Sequence, residues 1–100
     1  MIVQVDSAGT ASITDVDTFT SFHVAAASGV DVDDALRRNN AGYLSDQDAR
    51  VRVDWLRAQA EELSLPASWY ENLDGMLSYA ATKNWLNDDG TITAHVELAT

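Results

Sequence analysis

Cysteine is absent from the 100-residue chain. That excludes a disulfide framework, thiolate zinc sites, iron–sulfur clusters and cysteine nucleophiles. It also fits a reducing compartment, so a cytoplasmic location is expected. No apolar run approaches the ~20 residues that a membrane span needs, and the opening M-I-V-Q-V-D-S has no basic segment leading into a long apolar one. A soluble, unprocessed protein with no membrane role is expected. Positive charge is scarce too: six Lys and Arg against sixteen Asp and Glu leave a formal net charge of -10. Phosphate backbones are held by clustered basic side chains, so direct nucleic-acid binding is not expected. Neither G-x-G-x-x-G, nor G-x-x-x-x-G-K-[ST], nor G-x-S-x-G occurs, so no cofactor and no catalytic residue is assigned.

What is present is enough apolar material to fold. Hydrophobic residues make up 46%, including eight aromatics, too many for a disordered acidic tail. The length suits one globular domain over 1–100. Val3 and Val5 alternate with Gln4 and Asp6, Ser7-Ala8-Gly9 supplies a turn, and Ala11 and Ile13 alternate with Thr10 and Ser12, which predicts a β-hairpin. Thr14 or Asp15 can cap a following helix carrying Val16, Phe19, Phe22 and Ala26 at helical spacing and closed by Gly29. His23 would then sit half-buried beside that stripe.

Asp31 to Arg38 opens with acids and ends with bases, as a short helix prefers, and Asn39-Asn40-Ala41-Gly42 ends it. A calcium loop starting at Asp31 fails, because Leu36 and Gly42 stand where its Gly and Glu belong. Residues 43–63 admit two readings. Ser45-Asp46-Gln47-Asp48 could start one long helix; alternatively Arg50-Val51-Arg52-Val53 alternates as a strand, with Asp54 capping a helix from Trp55 to Leu63. The second is preferred.

From Ser64 onward several local signals agree. Pro66 stops the preceding segment and Ser68-x-x-Glu71 forms a capping box for a helix to about Trp85. Gly75 in its middle costs about 1 kcal/mol relative to Ala, which suggests a closely approaching neighbour. Asn87-Asp88-Asp89-Gly90 is turn chemistry. Thr91 to Leu98 alternates, with Ile92, Ala94, Val96 and Leu98 on one face and Thr91, Thr93, His95 and Glu97 on the other. The expected fold class is α+β: a small antiparallel sheet of N- and C-terminal strands, with 49–53 a further candidate strand and several helices on one face.

Two classes of function compete. Acidity is a property of the whole chain, and it favours a non-catalytic interaction module, an adaptor or inhibitor of a basic protein partner, with Asp88, Asp89 and Trp85 as contact residues. The alternative is a small-molecule or metal binder, or a minor enzyme, using His95, Glu97 and His23. Residues two apart on a strand project the same way, so His95-Val96-Glu97 could be a His–carboxylate pair; the plainer reading is an exposed polar pair. A zinc site would need His23 or a distant acid as third ligand, and no metal set is assigned. A monomer is expected, or a homodimer if Thr91–Leu98 lies at a sheet edge.

Finally, M-L-S-Y-A-A-T-K-N-W-L-N-D-D-G-T-I-T-A-H-V-E, with T-F-T-S-F-H-V near the start, resembles a group of small uncharacterised actinobacterial proteins. The shared features are Met76, Tyr79, Ala80, Lys83, Trp85, the acidic turn ending at Gly90, and Ala94-His95-Val96-Glu97. Asn84 departs from the glycine usual in that group. The resemblance implies no activity.

Overall fold

A computed structural model describes residues 1–98. Its elements are, in order, strands β1 (Ile2–Val5), β2 (Ala11–Thr14) and β3 (His23–Ala26), helix α1 (Val32–Arg38), strands β4 (Gly42–Ser45) and β5 (Asp48–Arg52), helices α2 (Val53–Glu62) and α3 (Ala67–Thr82), and strand β6 (Thr91–Leu98). The α+β class holds. The sheet, however, has six strands in the order β2-β1-β3-β6-β5-β4 and is mixed, not antiparallel. β1 pairs with β3, and β3 with β6, in parallel, whereas the two hairpins and β5·β6 are antiparallel.

The hairpin β1–β2 forms as its alternation predicts. Val3, Val5, Ala11 and Ile13 are buried on one face, and Gly9 takes the positive φ of the turn (+79°). The expected helix over 16–26 does not form. Asp15 turns the chain with φ +49°, and a loop rich in Thr and Ser carries Val16, Phe19 and Phe22 against the core from the side. Phe19 meets Trp69 of α3 at 5.9 Å, and the Trp69 indole N–H donates to the Val16 carbonyl at 2.8 Å. β-Branched and hydroxyl side chains are weak helix formers that bond locally to backbone. His23–Ala26 instead alternates inside the sheet, with Val24 and Ala26 buried.

α1 is as expected, with Asp31 accepting from the Asp34 amide at 3.0 Å and Arg37 and Arg38 paired to Asp33 and Asp34. Strand then helix is correct for 48–62, but the cap is Arg52, without a side-chain bond, and not Asp54. Ser45-Asp46-Gln47-Asp48 caps nothing; it is the turn of the hairpin β4–β5, with Asp46 at φ +57°. Gly42 does not merely end α1. A Cβ there would lie 1.8 Å from the Arg50 carbonyl, so only glycine lets β4 close on β5. α3 begins after Pro66 with no side-chain cap, so Ser68 is not its N-cap, and it ends at Thr82, short of Trp85.

Gly75 has no close neighbour: nothing lies within 4 Å of a Cβ placed on it. β6 is an inner strand between β3 and β5, so it offers no edge for a partner copy; the edges are β2 and β4. Ile92 and Ala94 are buried as predicted and Val96 is half-buried, but Leu98 of the same face is exposed, and Thr91, which shares a face with the exposed His95 and Glu97, is buried. Among the described residues no helix is long and apolar enough to cross a membrane.

Candidate metal and ligand site

The parallel pairing of β3 with β6 places His23 opposite His95 and Ala25 opposite Glu97. Residues opposite one another in a parallel pair point to the same side, one strand spacing (~4.8 Å) apart, and residues two along a strand share that side. His23, His95 and Glu97 therefore share a face, with the small Ala25 opposite Glu97. The two imidazoles stack, with centroids 5.2 Å apart and planes 22° from parallel. One Glu97 carboxylate oxygen lies 3.1 Å from His95 Nε2 and the other 3.4 Å from His23 Nε2. The His23 side chain is 18% exposed, while His95 and Glu97 are each 60% exposed. The hydrogen bond from His95, reinforced by the charge of His23, holds the Glu97 carboxyl below the usual carboxylate range.

The sequence paired His95 with Glu97 and offered His23 or a distant acid as the third group; the fold brings His23 to the pair. Potential ligand atoms of all three residues lie within 4.8 Å of one another. Two donors about 2.0–2.1 Å from a tetrahedral ion stand about 3.4 Å apart. The His23–Glu97 separation of 3.4 Å has that value and the His95–Glu97 separation of 3.1 Å is a little shorter, each to a different carboxylate oxygen. Two neutral imidazoles and a carboxylate suit a divalent first-row ion of the zinc, nickel or copper type.

Beside this face lies a cavity of about 400 Å³ bounded by Phe19, Phe22, Met76, Tyr79, Trp85 and His95. Asp48, the register partner of His95 on β5, stands on its rim. Pattern reading did not assign the cavity, because its walls come from the 19–22 loop, α3 and β6. One signal was present: continuing the Arg50, Arg52 alternation back two residues puts Asp48 on the same face.

The suggested contact residues are divided. Trp85 is 46% exposed and meets Tyr79 edge-on at 6.1 Å. Asp88 is exposed, but the Asp89 carboxylate is engaged inside the turn by Thr91 and Tyr43. No protein-family model, curated protein or solved structure matches this chain.

Proposed function

We propose that this protein binds a divalent first-row transition-metal ion through His23, His95 and Glu97. The observation that carries the reading is the convergence of both histidines of the chain and one carboxylate on one sheet face. Three protein ligands leave a coordination position for water or a small ligand. Zinc titration followed by the histidine ring signals in NMR tests it. Both rings respond together and saturate at one ion per chain, and His23→Ala, His95→Ala or Glu97→Ala each weaken binding by more than about tenfold. Two rings that ignore zinc and titrate independently with pH sink the reading.

The net charge of -10 favours a second reading, an acidic adaptor or inhibitor docking on a basic protein in the cytoplasm. It predicts retention of a basic protein at low salt that is lost as salt rises; no retention at low salt removes it. Kinship with the small actinobacterial proteins is likewise a proposal, and it adds no chemistry to either reading.

A further inference from the structure

We propose that the cavity between α3, the 19–22 loop and β6 binds a small organic cation, an ammonium on an aromatic or branched apolar body, with Asp48 as its counter-ion. This goes beyond the metal reading and does not depend on it. Phe19, Phe22, Met76, Tyr79 and Trp85 give the cavity its apolar wall, and Asp48 is the one carboxylate on its lining, where no Lys or Arg stands. The volume falls within the roughly 300–1,000 Å³ typical of small-molecule sites, where a few polar groups orient an apolar ligand.

Asp48 is available for that role. Among the described residues no cation pairs with its carboxylate. Arg50, two residues along the same face of β5, makes no ion pair with it either. Aromatic faces attract an ammonium as well as an alkyl group; the Tyr79 ring already meets the Lys83 ammonium at 5.7 Å, which leaves Phe19, Phe22 and Trp85 for a ligand. The net charge of -10 raises the local concentration of cations over that of anions. An ammonium bound at Asp48 lies beside His95, so a zinc ion on His95 opposes it, and the two ligands are expected to weaken each other.

The test uses the full chain in EDTA at low salt, with phenethylamine and 3-phenylpropionate as probes of matched shape and opposite charge. Phenethylamine is expected to shift the Trp85 indole and Tyr79 ring signals saturably and to bind more tightly than phenylpropionate. Asp48→Asn is expected to reduce its affinity about fivefold, as for an exposed ion pair, with unchanged amide signals in the core showing that the variant folds. Phenylpropionate binding equally well, or an Asp48→Asn affinity within about twofold of the parent, overturns the proposal. So does a cavity that takes phenylpropionate only after zinc is added, a result that assigns the anchor to the metal. Loss of the zinc response with the amine response intact refutes the metal reading alone.

Discussion

The two ends of β6 carry polar clusters of opposite character. At the Thr91 end the side chains of Tyr43, Asn87, Asp89, Thr91 and Thr93 bond one another. The Thr91 hydroxyl donates to Asp89 at 2.6 Å, and the Asn87 amide donates to both Thr91 and Thr93 at 3.1 Å. The Tyr43 hydroxyl donates to the other Asp89 oxygen, and that bond holds the phenol proton to a higher pH than usual. Thr91 is 2% exposed. At the other end, His95 and Glu97 face solvent beside the half-buried His23, with donor atoms to spare. A network closed on itself around the buried Thr91 makes one geometry and closes a turn. An unsaturated, open one keeps capacity for something outside the chain. Polar residues alternating along a single strand thus serve structure at one end and ligation at the other, and burial separates the two roles.

The comparison is broken most sharply by substitution at each end in turn. Thr91→Val keeps the shape but removes the hydroxyl that joins Asn87 to Asp89, and should cost about 1–3 kcal/mol of stability in denaturant unfolding while leaving zinc affinity unchanged. His95→Ala should do the reverse. Zinc affinity falls by more than about tenfold and stability stays within about 0.5 kcal/mol, because His95 and its Glu97 partner are both largely exposed. If Thr91→Val weakened zinc binding, or His95→Ala unfolded the protein, the two ends would form one cooperative unit.

The sequence showed these two clusters unequally. The turn 87–90 and the alternation of β6 are local patterns, so the hairpin β1–β2, α1, α2, α3 and the outward placement of His95 and Glu97 could be read from neighbours in the chain, whereas the hairpin β4–β5 was not. His23 could not be placed that way. Val16, Phe19, Phe22 and Ala26 have a helical spacing by coincidence of loop packing, and β3 is a four-residue strand whose partners are parallel. Parallel pairing has no connecting turn to announce it. The third ligand hangs on that one non-local register, and the cavity wall on the equally non-local packing of the 19–22 loop beside α3. Thr91 was misread for a related reason: alternation assigns it a face, but the folding of 85–87 over that face, through Thr93 N–H to Trp85 carbonyl and the Leu86–Ile92 bridge, buries it.

A substitution away from both clusters sharpens the contrast. Gly75 lies exposed within α3 with open space around it, so the cost of a helical glycine is recoverable. Gly75→Ala should stabilise the fold by about 1 kcal/mol, read as a higher denaturant midpoint with unchanged slope. Zinc affinity and the Tyr43 hydroxyl signal should both stay where they are. A lost gain would mean that α3 needs the glycine for a movement toward the 19–20 loop.

The smallest effect concerns charge at the closed end. The Thr91 hydroxyl bond first, and the Tyr43 bond second, hold the Asp89 carboxyl below its ordinary 3.8. A carboxyl lowered on folding stabilises the native state above its unfolded pKa, and that contribution disappears as pH falls through the folded value. The stability gap between the parent and Asp89→Asn should therefore be constant above about pH 4 and shrink steadily below it. If the gap instead persisted unchanged to pH 2, Asp89 would hold the turn by shape and hydrogen bonding alone. The closed end would then owe nothing to ionisation, leaving charge as a property of the open, ligand-facing end of β6.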